Sequence, residues 1–329
     1  MRAAMVQAGE RLLIECQSPW LLALISEACG SALDTDGDVE EPDLHLVLSE
    51  QRTPFDVAGW DPLTRGACHR DGSVVMVNAC GSGFDLRVSI GSQAPPGSIR
   101  VEARFRPPGR ERLASVAMRS RFHLLTRAVL LQYPAMWAAG LHGRMPLHAA
   151  AVSVGDRVAL LAGPGGIGRS TLLLGALRDG GRACSDNLCV SDGERAYGLV
   201  EPVRIEGAGG RRMPHGRSER DLPNRVDVLT PDCLVVLRRA AGGVASVRQL
   251  APGPAADVLV AGTFMAGELR RYWAFAATLA LGTGRGPMHP PVAQVAALAA
   301  RLPAVEITLG GLPSPSLAAL LAEPAGVLS

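Results

Sequence analysis

Nine consecutive residues carry the densest chemistry in the sequence: Gly163-Pro164-Gly165-Gly166-Ile167-Gly168-Arg169-Ser170-Thr171. The pattern is GxxxxGK[ST] with arginine in the lysine position. It suits an anion, because glycines permit positive φ and close backbone approach, so that several N–H groups converge on one phosphate. A helix starting at its end adds unpaired amides and a positive dipole end. Gly163, Gly165, Gly166, Gly168 and Thr171 would then cradle a nucleotide phosphate, with Arg169 reaching the β- and γ-phosphates and Ser170 a magnesium ion. A glycine-rich turn between strand and helix also occurs for structural reasons alone. Here the spacing, the Ser-Thr pair and both flanks favour phosphate.

Such a loop works only if a strand delivers it and a helix leaves it. Arg157 to Ala162 (RVALLA) reads as that strand and Ser170 to Arg178 as that helix, stopped by Gly180-Gly181. Leu147 to Val154 (LHAAAVSV), joined through the turn Gly155-Asp156, reads as the partner strand and carries His148. Ala183 to Val190 (ACSDNLCV) reads as one further buried strand, carrying Asp186 and Asn187. A buried acid needs a partner or an ion. A lone histidine in an apolar strand, taken by itself, is more often a core residue than a reacting one.

Further strands are expected at residues 11–16, 43–49, 73–78, 84–89, 99–105, 233–237 and 304–309. Helices are expected from Pro19 to about Cys29, with Ser18 as N-cap, and over 114–141, 264–281, 292–302 and 316–321. Pro134 should kink or break the second of these. Residues 207–223, rich in glycine and arginine and without periodicity, read as a loop carrying Arg211, Arg212, Arg217 and Arg220. The organisation is therefore an N-terminal, mostly β (α+β) domain over 1–110, a connecting helical segment over 111–143, and an α/β nucleotide-binding domain over 144–329.

Composition excludes several classes. A net charge of +2 and 4% aromatic residues supply neither the basic footprint nor the stacking surface of a nucleic-acid binder. The apolar run 128–141 is about half the length of a membrane span. Seven cysteines without a CxxC pair argue against a zinc site or a disulfide framework and for a reducing, cytoplasmic setting, and the N-terminus lacks the apolar core of a signal peptide. All 33 basic residues are arginine, so Arg169 stands in a chain that uses no lysine anywhere.

In the order His148 strand, glycine-rich loop, helix ending in Gly-Gly, and Ser185-Asp186-Asn187, residues 115–329 resemble the HPr kinase/phosphorylase family and its wider HPr-kinase-like group. These share a P-loop fold with phosphoenolpyruvate carboxykinase. The resemblance implies ATP and Mg2+ as cofactors, His148 beside the transferring phosphate, Asp186 as general base on a substrate hydroxyl, and Asp186 with Asn187 and Ser170 at the metal. Glu201-Pro202-Val203-Arg204-Ile205 resembles the group's Pro-x-Arg-Ile stretch, which would turn Arg204 to the phosphates; a solvated strand-end arginine is the plain alternative. The family has a second Asp where this chain has Asn187, which removes one negative charge, and Arg169 brings a planar fork to a pocket shaped for a point charge.

Two functions follow. One is a Mg-dependent phosphotransferase acting on a peptide or protein serine or on a small metabolite. The other is a catalytically silent relative, serving as a leader-peptide-binding or scaffold partner in the maturation of ribosomally made peptides. The first takes a nucleotide and a peptide, protein or small-molecule acceptor, the second a peptide or protein partner with a nucleotide or none, and assembly as a homo-oligomer is compatible with both.

Overall fold

The computed structural model describes residues 2–37, 39–91, 98–109, 112–113, 117–205, 211–212, 218–310, 315–322 and 326–327. Arg217 and most of the arginine loop lie outside the described residues. The chain is mixed α/β, with several sheets and helices. It forms two compact units, each assembled from separated stretches: unit 1 from Met1–Gly143, Glu206–Glu219 and Arg271–Pro290, unit 2 from Arg144–Ile205, Arg220–Arg270 and Pro291–Ser329. The sequence reading drew contiguous domains instead.

The large sheet of unit 1 has eight strands among the described residues, β1 (Arg2–Gln7), β2 (Glu10–Cys16), β3 (Leu44–Ser49), β4 (Asp61–Thr64), β5 (Ala67–Arg70), β6 (Ser73–Met76), β7 (Phe84–Ile90) and β8 (Ile99–Phe105). Their order is β1-β2-β3-β8-β7-β6-β5-β4. Strands β2, β3 and β8 run parallel, and the remaining neighbours pair antiparallel. Helix α1 (Pro19–Cys29) joins β2 to β3, and Ser18 Oγ caps it by accepting from the Leu21 N–H at 3.4 Å. Strand β3 alternates buried Leu44, Leu46 and Leu48 with half-buried neighbours, the period of a strand with one face in the core.

The expected long helix is α2 (Arg119–Thr126), a π-helical turn over Arg127–Gln132, and α3 (Tyr133–Leu141). Pro134 falls in the first turn of α3, directly after the π turn, so the wider turn accommodates the missing proline N–H without breaking the helix. Tyr133 to Ala139 are all buried. The short strands β16 (Arg211–Arg212) and β17 (Ser218–Arg220) pair at Arg211↔Glu219 and Arg212↔Ser218, and Glu219 takes a two-point, buried ion pair from Arg127 at 3.1 and 3.2 Å.

Unit 2 contains β9 (Met145–Leu147), β10 (Ala150–Val154), β11 (Arg157–Ala162), β12 (Ala183–Ser185), β13 (Cys189–Ser191), β14 (Ala196–Gly198), β15 (Val203–Ile205), β18 (Val228–Leu229), β19 (Cys233–Arg239), β20 (Ser246–Leu250), β21 (Ala304–Leu309) and β22 (Gly326–Val327). One sheet has the order β12-β10-β11-β19-β21-β20-β22, the other β18-β14-β13-β9. Strands β11, β19 and β21 are parallel at the centre of the larger sheet. Adjacent residues on β11 serve opposite faces: Leu161 packs with Leu173 and Leu177 of α4 (Arg169–Arg178), and Leu160 with Leu259 of α5 (Pro252–Met265). Burial on both faces explains why these strands read as unbroken apolar runs.

Two of the expected strands are each split. The run 147–154 becomes β9 and β10, and the run 183–190 becomes β12 and β13. Strand β10 pairs with β12 in the larger sheet (Ala151↔Ser185), whereas β9 pairs with β13 in the smaller one (Leu147↔Cys189). Two neighbouring chains thus pass together from one sheet to the other. The residues on the crossing are His148-Ala149 and Asp186-Asn187-Leu188. Asp186, expected within a strand, therefore occupies a bend where the ladder is interrupted.

Candidate functional site

Strand β11 delivers the glycine-rich loop at its carboxyl end. Gly163 lies against β19, where a Cβ would stand 3.1 Å from the Leu237 carbonyl oxygen. Gly166 and Gly168 take φ of 81° and 114°, values that only glycine adopts readily. Pro164, Gly165 and Gly166 are exposed, and a Cβ on Gly165 would meet nothing within 4 Å, so the open space above the loop is not needed for packing. Helix α4 starts with no side-chain cap and no acid in its first turn. Its first amides and dipole are thereby left for an anion. Thr171 is exposed on that first turn.

Arg169 turns inward and is 7% exposed. Its Nη2 donates to Asn187 Oδ1 at 2.6 Å and contacts His148 Nε2 at 3.0 Å, and its Nη1 lies 3.4 Å from the Gly163 carbonyl oxygen. The histidine's other nitrogen, Nδ1, faces the Gly262 carbonyl at 3.1 Å, an acceptor, so Nδ1 carries the proton. Burial, reinforced by Arg169, pushes the imidazole pKa down, which keeps the ring neutral and leaves Nε2 as a lone pair. His148 Nε2 and Asn187 Oδ1, 2.9 Å apart, are then two acceptors facing each other. The two hydrogens of Arg169 Nη2 satisfy both, and the guanidinium bridges them.

On the other side of the bend, Ser170 Oγ donates to Asp186 Oδ2 at 2.9 Å. Asp186 is 3% exposed, and its Oδ1 finds no hydrogen-bond partner among the described residues. Burial raises its pKa, against the pull of Ser170, Arg169 and Arg204. Arg204, on β15, faces Asp186 and pairs with Glu268 at 3.6 Å. Burial pushes the Glu268 carboxyl up, but its own backbone amide and the charge of Arg204 outweigh that and hold it below its ordinary value. Beneath the bend, the buried Glu201 accepts from the N–H groups of both Asn187 and Leu188 at 2.7 Å.

The structure therefore places the loop glycines, Arg169, Ser170, His148, Asp186 and Asn187 in one site within unit 2, with Arg204 at its side. It gathers them in two subsets, Arg169 with His148 and Asn187, and Ser170 with Asp186. Glu201, Glu268 and Gly262 complete the site and were not singled out in the sequence. Glu201 did leave one signal, an acid inside the apolar stretch Leu199 to Val203. Among the described residues no three His, Cys, Asp or Glu side chains converge on one point, and no helix is long and apolar enough to cross a membrane. A groove of about 870 Å³ in unit 1, lined by Trp20, Phe105, Phe122, Arg52, Glu27 and His123, contains none of these site residues.

The sequence matches no protein-family model, and no curated protein shows significant similarity to it.

Proposed function

We propose that unit 2 is an HPr-kinase-like P-loop module that binds ATP with Mg2+ and transfers a phosphoryl group to a hydroxyl. The observation that carries this reading is the Ser170–Asp186 pair with its orphaned carboxylate oxygen, placed beside an uncapped helix start and an open glycine loop. Hard oxygen donors fit a magnesium ion, which keeps several waters and needs only one or two protein carboxylates. Ser170, Asp186 and Asn187 are the residues that would hold it. A bound magnesium ion supplies charge neutralisation across the phosphate oxygens. The loop amides and the α4 N-terminus bind and orient the phosphates. Asp186 takes the proton of the acceptor hydroxyl at Oδ1. His148 holds Arg169 through Nε2. The acceptor is a peptide or protein serine or a small metabolite.

A second reading has its own observation. Arg169, the residue a P-loop turns to the phosphates, is engaged by His148, Asn187 and Gly163, which favours a protein that binds nucleotide without transferring phosphate and serves as a peptide-binding or scaffold partner. Isothermal titration with Mg-ATP, followed by transfer of labelled γ-phosphate to serine-containing peptides or to water, separates the two. Turnover that disappears in Asp186→Asn supports the phosphotransferase. Binding with no ATP consumption selects the second reading, and no binding at millimolar nucleotide removes the phosphotransferase.

A further inference from the structure

Where two chains cross from one sheet to another, the amides on the crossing lose their ladder partners. A buried amide without a partner costs about 1–3 kcal/mol, so such a bend forms only if something else accepts from it. At Asp186-Asn187-Leu188 that acceptor is one atom, Glu201 Oε1, which takes both the Asn187 and the Leu188 N–H at 2.7 Å. Glu201 is 5% exposed and lies between β14 and β15, three residues before Arg204. The two peptide units that it grips are those whose carbonyls belong to Asp186 and Asn187. Fixing these planes fixes the direction in which the Asp186 carboxylate and the Asn187 amide leave the backbone. A lighter fastening ties the two crossing segments together, Ser185 Oγ donating to the Ala149 carbonyl at 3.3 Å.

We propose that Glu201 is the positioning residue of the site: by accepting two successive amides it holds the Asp186–Asn187 bend in the one geometry that aims both side chains at Ser170 and Arg169, and so sets the affinity for the divalent cation that accompanies the nucleotide. The role of the bend as a cation site rests on the phosphotransferase reading; the grip on the bend does not. Both hydrogen bonds to that carboxylate oxygen are short, 2.7 Å. What the geometry requires is one well-placed acceptor oxygen, which glutamine also offers and which alanine lacks. Aspartate, one methylene shorter, brings charge without reach.

The test uses the full chain with Glu201→Gln, Glu201→Asp and Glu201→Ala. Two quantities are read: backbone hydrogen exchange over residues 186–188 without ligand, and the dissociation constant of Mn2+ in the presence of ATP, followed by electron paramagnetic resonance. Glu201→Gln is expected to keep slow exchange and to bind Mn2+ within about twofold of wild type, since its acceptor is retained. Glu201→Asp and Glu201→Ala are expected to exchange fast at Asn187 and Leu188 and to bind Mn2+ about tenfold or more weakly, as removal of groups that orient metal ligands usually does. Wild-type exchange rates in Glu201→Ala overturn the proposal. So does an aspartate variant that behaves as wild type beside an impaired glutamine one, because charge rather than placement would then be what matters. Should Glu201→Ala fail to fold, the glutamine–aspartate contrast decides alone. Absence of Mn-ATP binding in wild type removes the phosphotransferase reading, and the exchange arm still decides whether Glu201 holds the bend.

Discussion

Arg169 Nη2 spends its two hydrogens on His148 and Asn187, and Nη1 faces the first carbonyl of the loop. A phosphate reaching the guanidinium has to compete with these contacts. Lysine at the same position is a point charge on a flexible stem, able to satisfy one of the two facing acceptors and then to reach outward. Arg169→Lys is therefore expected to move two measurements in opposite directions. Stability in urea should fall by about 2 kcal/mol, the scale of hydrogen bonds to a charged group. The affinity for Mg-ATP, by isothermal titration, should rise severalfold. An unchanged unfolding midpoint would show that the fork is not engaged, and a weakened affinity would show that the pocket relies on the larger group. At this scale the loop was legible from its own spacing and Asp186 as an acid in an apolar run, whereas His148 and Asn187 were legible only through the family resemblance. Glu201, Gly262 and Glu268 were not, since they come from distant stretches and their partners are set by folding.

Between elements, apolar periodicity stated that strands exist but not which sheet each joins. The runs 147–154 and 183–190 are buried but for the half-buried Ser153 and Asn187, so nothing in their hydrophobicity marks the crossing; only the polar residues at 148 and at 186–187 do, and these were readable equally as chemistry. Strand β1, Ala-rich and weak in β-propensity, escaped notice because its existence depends on pairing along six residues with β2, through a hairpin in which Ala8 and Gly9 take positive φ. The centre of the larger sheet offers a separable test. Glu306 on β21 is 3% exposed and receives Arg248 from β20 at 2.7 Å and Arg238 from β19 at 2.6 Å. Arg248 above all, then Arg238, holds its carboxyl below the ordinary range despite burial. A depressed folded pKa contributes stability that is complete above the unfolded value, about 4.3, and is lost as the pH falls through the folded one. Both guanidinium groups are more than half exposed, so screening limits the effect to about 1 kcal/mol. Glu306→Gln should thus melt below wild type at pH 7, and the gap should close as the solution is taken below the carboxylate range. A gap that stays constant with pH would assign it to packing.

For the molecule as a whole, the division into units turns on residues far apart in sequence. A boundary near residue 110 was suggested by Pro107-Pro108-Gly109, and composition offered no sign that stretches beyond residue 200 return to the N-terminal unit. Yet the Tyr133 ring lies 6.0 Å from Tyr272 and 5.7 Å from Phe275, and Arg127, 5% exposed, has its carboxylate on Glu219. A fragment of residues 1–143 keeps all eight strands of its sheet but loses these partners. Stranding a buried charge costs about 3–5 kcal/mol. Each large apolar side chain withdrawn removes about 1.5–3 kcal/mol more. Together these approach the total stability of an ordinary domain, about 5–15 kcal/mol. The fragment is accordingly expected to show strand signal in far-UV circular dichroism without a near-UV spectrum, and to unfold in urea without a cooperative transition. A sigmoidal transition with native near-UV bands would mean that the eight-stranded sheet and α3 suffice as a core, and that residues 206–219 and 271–290 are attachments to unit 1 and not parts of it.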